Sequence, residues 1–177
     1  YTSGTTGRPK GVMLTHNNFL SNASNGMRSV AVTPQDQFLS FLPMSHALER
    51  TVGYYCPMMC GASVAFNRSI PQLAQDLVAV RPTIMVSVPR IFERIHNQIH
   101  GGLPQMSAVK RALFKAAIKI GWRRFEYSQG LASWSPGLLL HPLLDHLVGK
   151  TVREKLGGRM RYVVVGGAAL SANVSKT

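Results

Sequence analysis

Residues able to bind an anion crowd the beginning of the chain, where hydroxyl side chains, glycines and cations alternate through residues 1–11. After the first residue no large apolar side chain interrupts this run, so it is unsuited to packing in a core. Its glycines can adopt positive φ, which lets successive backbone N–H groups turn inward around an anion. The hydroxyls of Ser3, Thr5 and Thr6 and the charge of Lys10 add further donors. The chemistry predicted here is therefore the binding of a polyphosphate.

This run is not the common P-loop, which requires Gly, four residues, and then Gly-Lys-Ser/Thr. Pro9 stands where the second glycine is required, and Gly11 rather than Ser or Thr follows Lys10. Clusters of Ser, Thr, Gly and Pro often form plain flexible turns, and composition alone leaves that interpretation open. The order S-G-T-T-G-x-P-K-G is far more specific than the composition, and it favours the phosphate-binding loop.

The same stretch resembles the phosphate-binding signature of the adenylate-forming superfamily, which contains acyl-CoA synthetases, peptide-synthetase adenylation domains and luciferases. The resemblance implies that the chain binds ATP through this loop. The residues that match the family's loop position by position are Thr2, Ser3, Gly4, Thr5, Thr6, Gly7 and Lys10.

A second segment, residues 42–50, follows a predicted strand and opens a predicted helix. Ligands of parallel α/β sheets bind outside the carboxyl ends of the strands, so His46 lies where a substrate group could reach it. A lone histidine is more often structural than catalytic, and spacing by itself favours the structural role. The segment resembles the second shared motif of acyl-CoA synthetases, and Glu49-Arg50 resembles the long-chain fatty acid members. The resemblance implies that His46 contacts the acyl carboxylate and the α-phosphate of ATP without abstracting a proton.

A glycine-rich segment, residues 165–171, follows the last predicted strand and resembles the strand end that lines the adenine and acyl pocket in this superfamily. Gly166, Gly167 and Ala168 are the expected binding residues, since the glycines let a flat ring or an alkyl chain approach the backbone. A purely structural role, a tight strand-to-helix turn with Ser171 as the N-cap, explains the same residues. Both interpretations can hold together.

Strands and helices alternate along the chain. The predicted strands are residues 38–42, 62–66, 83–88 and 162–165, and the main predicted helices are residues 16–31, 45–55, 71–80 and 91–99. This alternation predicts an α/β fold with a largely parallel sheet and flanking helices. The resemblance, which continues through residues 88–95, 141–147 and 155–161, implies that residues 1–177 are part of the large N-terminal domain of an adenylate-forming enzyme.

A helical insert around residues 101–150 precedes the last strand. Between residues 107 and 125, four cations recur at every fourth position and four apolar residues recur at three- and four-residue steps. The two sets are Arg111, Lys115, Lys119 and Arg123, and Val109, Leu113, Ala116 and Ile120. Such a pattern is typical of a solvated face above a core-packed face, which is the favoured interpretation. The alternative is a helix on an anionic membrane surface, aided by Trp122 and Phe125. A second apolar helix is predicted over residues 138–148, with an interruption at Pro142.

The formal net charge of +13 over 177 residues is concentrated in the second half of the chain. Residues 89–177 carry fourteen Lys and Arg against four Asp and Glu, whereas residues 1–88 carry six against three. This balance favours a phosphate, nucleic acid or an anionic membrane as partner, unless acidic residues elsewhere in a longer protein offset it. The basic residues lack the interleaved aromatics of a base-stacking platform, so nucleic acid is not expected.

Cys56 and Cys60 lie four residues apart in an apolar run without a companion Cys or clustered His. This pattern favours packing of a helix over a disulfide or a metal site. No apolar run in the sequence approaches the roughly 20 residues of a membrane-spanning helix. We expect a cytoplasmic protein that lies peripherally on the inner face of a membrane if its basic helix binds lipid.

The resemblance implies a reaction in two steps. A long-chain fatty acid carboxylate attacks the α-phosphate of ATP to give acyl-adenylate and pyrophosphate, and the thiol of CoA then displaces AMP. Mg²⁺ is the implied metal, bridging phosphates, and no metal ligand is expected in residues 1–177. The family's magnesium-binding Thr-Glu pair, its ribose-binding aspartate and its C-terminal domain with the catalytic lysine are expected beyond Thr177. These residues alone are therefore expected to form no acyl-CoA. The alternatives are an adenylating enzyme for an aryl or aminoacyl substrate, and a non-enzymatic basic module that binds anionic membrane.

Overall fold

The computed structural model describes residues 10–176, and within them four parallel strands form one sheet. The strands are β1 (Gln37–Ser40), β2 (Ser63–Phe66), β3 (Ile84–Ser87) and β4 (Tyr162–Val165). In space their order is β2-β1-β3-β4. Phe38 pairs with Val64 on one side and with Ile84 on the other, and Met85 pairs with Val163. The predicted α/β fold with a largely parallel sheet is confirmed.

The two inner strands, β1 and β3, supply the centre of the core. Every residue of β3 is buried, as are the last three residues of β1. Leu39 and Met85 pack against Leu73 and Leu77, which belong to the helix that follows β2. Because both faces of an inner parallel strand are covered, its sequence is apolar without alternation, as in residues 84–86.

Eight α-helices among the described residues flank the sheet. They are α1 (His16–Ser29), α2 (Cys56–Cys60), α3 (Leu73–Val80), α4 (Pro89–Gly102), α5 (Ala108–Ser128), α6 (His141–Leu144), α7 (Lys150–Lys155) and α8 (Ala172–Ser175). Two π-helices (Glu49–Tyr55 and Asp145–Gly149) and three short 3₁₀ segments (Ile70–Gln72, Leu103–Gln105 and Pro136–Leu140) join them.

Helix starts follow local chemistry. Thr15 caps α1: its hydroxyl oxygen accepts a hydrogen bond from the Asn18 backbone N–H, and the Asn18 side-chain oxygen accepts one from the Thr15 backbone N–H. Pro89 begins α4, where its missing N–H is not needed. The predicted N-cap Ser171 is confirmed, since its side chain accepts from the Val174 N–H. Residues 12–14 join no strand of the sheet.

The helix after β1 differs from its prediction. The sequence predicts a helix that is capped by Ser45 and carries His46. In the structure the helix begins one residue after His46, whose carbonyl accepts from the Arg50 N–H, and it passes into the first π-helix, Glu49–Tyr55. The wider π-helical turn brings the carboxyl group of Glu49 into the interior, against Gly53. A period of 3.6 residues therefore does not describe this helix.

A buried carboxylate joins the amino ends of three strands. Asp36 accepts hydrogen bonds from the Thr33 N–H (2.8 Å), the Thr83 hydroxyl (2.7 Å) and the Arg161 guanidinium (2.7 Å). Arg161 also donates to the Ala31 carbonyl. Burial would raise the pKa of Asp36, but the bonds from Thr83, Thr33 and Arg161 outweigh it and hold the pKa below the usual value. This Asp36 cluster fixes the strand starts opposite to the edge where a ligand would bind.

The insert forms a layer of its own, in which α5 packs on α6 and on the second π-helix. An open cavity of about 550 Å³ lies between them, lined on α5 by Phe114, Ile118 and Trp122. The predicted apolar face of α5 is therefore partly wrong: Leu113, Ala116 and Ile120 are half-buried, but Val109 is 69% exposed. The neighbouring helices approach from the side of Phe114, which the three- and four-residue spacing could not indicate. No described helix within residues 10–176 is both long enough and apolar enough to cross a membrane.

Candidate active site

The strand order creates a switch point between β1 and β3. From β1 the chain moves outward to the edge strand β2, and it then returns to the other side of β1 as β3. Connections leaving the two inner strands therefore diverge, and ligands of such sheets bind outside the carboxyl ends of these strands. The segments that follow β1, β3 and β4 meet at this edge, and two of them are the segments singled out in the sequence.

His46 lies on the turn after β1, exposed to solvent. Its backbone N–H donates to the Pro43 carbonyl (2.9 Å), and its own carbonyl accepts from the Arg50 N–H (3.0 Å). The imidazole Nδ1 accepts a hydrogen bond from the Leu48 backbone N–H at 3.2 Å. A neutral imidazole that accepts at Nδ1 carries its proton on Nε2, so the second nitrogen of the exposed His46 is left as an N–H donor.

Gly166 brings the end of β4 against the same turn. A Cβ atom at this position would lie 2.8 Å from Leu48 Cδ2, so only glycine fits there without displacing Leu48. The Gly166 N–H donates to the Ser87 carbonyl at the end of β3 (3.1 Å). Gly167 follows with a φ of +85°, a conformation that favours glycine. The structure thus brings His46 and the predicted glycine segment to one edge of the sheet, where Gly167 and Ala168 are exposed.

Glu49 is a polar residue at this edge to which sequence reasoning gave no site role. It is fully buried, and its Oε1 accepts a hydrogen bond of 2.5 Å from the Ser40 hydroxyl at the end of β1. Burial raises the pKa of Glu49, while the bond from Ser40 acts in the opposite direction. From the sequence, Glu49 was used only as part of the resemblance to the long-chain fatty acid members. The one sequence feature that could have indicated the burial of Glu49 is Gly53, four residues later, because a glycine there leaves room for the Glu49 side chain.

The predicted phosphate-binding residues Thr2, Ser3, Gly4, Thr5, Thr6 and Gly7 lie outside the described residues. Lys10, the last member of that set, lies within them and is exposed. Their role in binding phosphate stays a prediction.

Metal-binding and thiol chemistry find little support in residues 10–176. This part of the chain contains no group of three or more His, Cys, Asp or Glu side chains that could hold a metal ion. Cys56 and Cys60 are both free thiols. Burial, and to a lesser degree the charge of Cys60, raise the pKa of the Cys56 thiol to about 11, so it is unreactive near neutral pH. The first cysteine is a core residue, as the sequence favoured.

Comparison with known proteins decides the family. The sequence profile described as AMP-binding enzyme matches residues 1–177, the whole of the chain. The chain belongs to this family of AMP-binding enzymes. It is similar to long chain acyl-CoA synthetase 1 of Arabidopsis thaliana, with 37% identity over 99% of this chain and 26% of that protein. It is also similar to long-chain-fatty-acid–CoA ligase 1 of Homo sapiens, with 37% identity over 98% of this chain and 24% of that protein.

Solved structures support the same fold. An ATP-bound RpMatB-BxBclM chimera aligns with a TM-score of 0.58 and 25% identity, over 98% of this chain and 24% of that one. The adenylation domain of a carboxylate reductase from Mycobacterium chelonae, at 21% identity, aligns with a TM-score of 0.61 over 98% of this chain and 23% of that one. This AMP-binding enzyme chain spans about a quarter of the length of the curated relatives named above.

Proposed function

We propose that the protein carrying this chain activates a long-chain fatty acid in two steps. In the first, a carboxylate oxygen attacks the α-phosphorus of ATP, and the bond from that phosphorus to the bridging oxygen breaks to release pyrophosphate. In the second, the sulfur of CoA attacks the acyl carbon, the thiol proton is lost and AMP leaves. The substrates are ATP, CoA and the fatty acid, and the protein's main task is positioning and charge stabilisation.

His46 is the residue at the reacting atoms. Its Nε2–H has no hydrogen-bond partner among the described residues, and it faces outward from the turn at the sheet's switch point. A neutral donor there can bind the acyl carboxylate and the α-phosphate oxygens without taking a proton. The exposed histidine with one fixed nitrogen at the switch point is the observation that carries the proposal.

Two groups of residues complete the proposed site. Thr2, Ser3, Gly4, Thr5, Thr6, Gly7 and Lys10 hold the departing pyrophosphate, whose charge their N–H, hydroxyl and ammonium donors meet. Gly166, Gly167 and Ala168 line the place of the adenine ring and the start of the acyl chain, since the described edge is open beside them. Mg²⁺ would neutralise phosphate charge in this site, and the Thr-Glu pair that would hold it is expected beyond Thr177.

The test is a substrate panel with the complete purified protein. Palmitate, benzoate and an aminoacyl substrate are each supplied with ATP, CoA and Mg²⁺, and both AMP and the thioester are measured. Palmitoyl-CoA formed in equal amount to AMP supports the proposal. Turnover only with benzoate or the amino acid would identify an adenylating enzyme of another specificity, and turnover with none would overturn the proposed reaction.

A second proposal concerns the membrane. Arg111, Lys115, Lys119 and Arg123 give α5 a basic side, and large apolar side chains stand exposed elsewhere on the insert, among them Trp134 (54%), Leu139 (72%) and Leu143 (58%). Cations and exposed apolar groups on one insert are the two components of a surface that binds an anionic bilayer. We therefore place the protein in the cytoplasm, bound peripherally to the inner face of a membrane.

Vesicle sedimentation tests this second proposal. Replacing Lys115 and Lys119 by glutamine should release the full-length protein from anionic vesicles, whereas replacing Thr5, Thr6 and Lys10 should leave vesicle binding intact. Equal binding of neutral and anionic vesicles by the wild type would contradict it. Lys155→Gln and Arg159→Gln together serve as a charge-matched control outside α5.

A further inference from the structure

Glu49 has a carboxyl group that the proposed reaction does not use. Its side chain is completely excluded from solvent, and only one of its two oxygens is hydrogen-bonded. Oε1 accepts from the Ser40 hydroxyl at 2.5 Å, whereas Oε2 has no partner among the described residues. A buried carboxylate in this condition is costly, so a specific reason for its presence is expected.

The local backbone is shaped around this carboxyl group. Glu49 begins the π-helix, and Gly53 lies four residues later on the same helix. A Cβ atom at Gly53 would lie 2.5 Å from Glu49 Oε1, so the absence of a side chain makes the space that the carboxyl group fills. A rare helix type and a glycine thus both accommodate Glu49.

Ser40 connects the carboxyl group to the turn that carries His46. Its hydroxyl lies 2.5 Å from Glu49 Oε1 and 3.9 Å from Met44 Sδ. Met44 and Glu49 stand on either side of His46 in the sequence. The single hydroxyl proton of Ser40 goes to Glu49, so the last residue of β1 is hydrogen-bonded to the turn on the Glu49 side of the histidine and only touches it on the Met44 side.

We propose that Glu49 is a positioning residue that anchors the His46 turn to the end of β1, and that it does so as the neutral acid. This inference rests on the proposed function, since it assigns the support of the histidine named there. As a neutral acid Glu49 retains the acceptor that Ser40 needs and buries no uncompensated charge. The raised pKa that burial gives Glu49 agrees with this state.

Charged neighbours do not account for the state of Glu49. The π-helix packs on α1, α2, β1 and β3. The titratable groups on those elements are His16 and Arg28, both exposed on α1, and the two thiols Cys56 and Cys60 of α2. The strands β1 and β3 carry none, and the π-helix itself adds Arg50, Tyr54 and Tyr55. Only burial and the Ser40 bond act on the pKa of Glu49.

Substitutions separate a neutral anchor from a charged catalyst. In the full-length protein, Glu49→Ala should lower kcat by about 100-fold, the scale expected for a misplaced reacting group, with KM for ATP unchanged. Glu49→Gln keeps the acceptor and the shape, so it should retain most of the activity. Glu154→Gln, the same chemical change at an exposed side chain, is the control. Equal loss in Glu49→Gln and Glu49→Ala would overturn the proposal.

A double-mutant cycle tests whether Glu49 acts through His46. Adding Glu49→Ala to His46→Ala should lower kcat little further, because the group that Glu49 positions is already missing. Fully multiplicative losses would show that Glu49 acts independently of the histidine and would overturn the proposal. Gly53→Ala, which displaces the carboxyl group, should resemble Glu49→Ala and add little to it.

Amide exchange supplies a readout that needs no substrate. The Leu48 N–H donates to His46 Nδ1, so its protection from hydrogen exchange reports the geometry of the turn. Glu49→Ala should abolish this protection and Glu49→Gln should keep it, even if the enzyme proves to activate no fatty acid. Unchanged protection in Glu49→Ala would overturn the positioning role while leaving the proposed reaction untouched.

Discussion

The imidazole of His46 is fixed at one nitrogen and open at the other. The bond from the Leu48 N–H determines which nitrogen bears the proton, so the tautomer is set by the backbone two residues later. A residue that a sequence presents as a lone histidine thereby becomes a defined donor. Glu49 is fixed in a comparable way by Ser40, through a side-chain bond that spans nine residues.

At the residue scale, two replacements of His46 distinguish its hydrogen bond to the substrate from its hydrogen bond within the turn. His46→Asn offers an amide oxygen to the Leu48 N–H but is too short to reach the substrate, whereas His46→Ala loses both functions. Each should lose about 2 kcal/mol of transition-state stabilisation, the usual loss for a hydrogen bond to a charged group. Measurement of kcat/KM for ATP-dependent thioester formation checks this prediction. Wild-type kcat/KM in His46→Ala would show that the histidine touches no reacting group.

At the scale of elements, long-range contacts attach the strands and helices to one another. Arg161 reaches Asp36 across 125 residues, so the start of β4 is joined to the start of β1. On the same side, Gly157 lets the segment after α7 pass close to the end of α3, where Arg81 Nε donates to the Gly157 carbonyl. These attachments leave the opposite, carboxyl edge free for ligands.

Asp36 gives this attachment a dependence on pH. Its pKa is lowered in the folded state, so its stabilisation is present above the unfolded pKa and is lost as pH falls through the folded pKa. Asp36→Asn should lower the free energy of unfolding by about 2 kcal/mol at neutral pH. The difference from wild type should shrink as pH falls below about 3.9. Denaturant unfolding across pH measures both, and an equal difference at every pH would contradict the assignment.

The pKa of Glu49 is shifted in the opposite direction to that of Asp36, so its stability contribution depends on pH in the opposite sense. Its folded pKa is raised above the ordinary value of 4.5, so its stabilisation is complete below that pH and is lost as pH rises through the folded pKa. Wild-type protein should therefore become progressively less stable than Glu49→Gln as pH rises, until the folded carboxyl group is ionised. Unfolding curves for the two proteins at matched pH are the measurement. A constant difference would mean that the pKa of Glu49 is the same in the folded and the unfolded protein, and it would contradict the prediction.

Glycine substitutions test the contact between α3 and the segment after α7. At Gly157 φ is +90° and a Cβ atom would lie 2.5 Å from the Leu77 carbonyl oxygen, so Gly157→Ala should lower the free energy of unfolding by about 3 kcal/mol. Gly130 has a φ of +72° but open space around it. Gly130→Ala is therefore the matched control, with a loss of about 1 kcal/mol. Equal losses at the two positions would show that the close contact contributes nothing.

At the scale of the whole molecule, four parallel strands and their flanking helices form the described part of a chain that spans about a quarter of the length of its curated relatives. The second half of the chain contains most of the excess positive charge, and the helical insert holds a large part of it. Phosphate binding is proposed for the glycine-rich beginning, and membrane binding for the insert. The two proposals draw on separate residues and can be tested separately.

Ligand-linked stability tests the phosphate-binding loop in the intact protein. ATP at about 100 times its Kd should stabilise the wild-type protein by about 2.7 kcal/mol. Combined replacement of Thr5, Thr6 and Lys10 by alanine should remove most of this stabilisation without changing the stability of the ligand-free protein. Thermal unfolding with and without ATP measures the effect. An undiminished shift in the triple variant would exclude the loop as the phosphate site.

Much of the architecture follows from short-range sequence signals. The apolar run of residues 83–88 predicted the central strand β3, and Ser171 predicted the start of α8. Such features depend on neighbouring residues, because backbone propensity and capping act within a few positions. The motif letters around His46 and Gly166 likewise identified a family that comparison with known proteins supports.

What the tertiary structure alone decided was which distant residues meet. The order β2-β1-β3-β4, and with it the switch point, depends on pairing between segments far apart in the chain. The burial of Glu49 and the π-helix around it follow from the approach of Ser40 and Gly53, which no helical period anticipates. Burial and partner choice are properties of the packed molecule, whereas propensity is a property of the local chain.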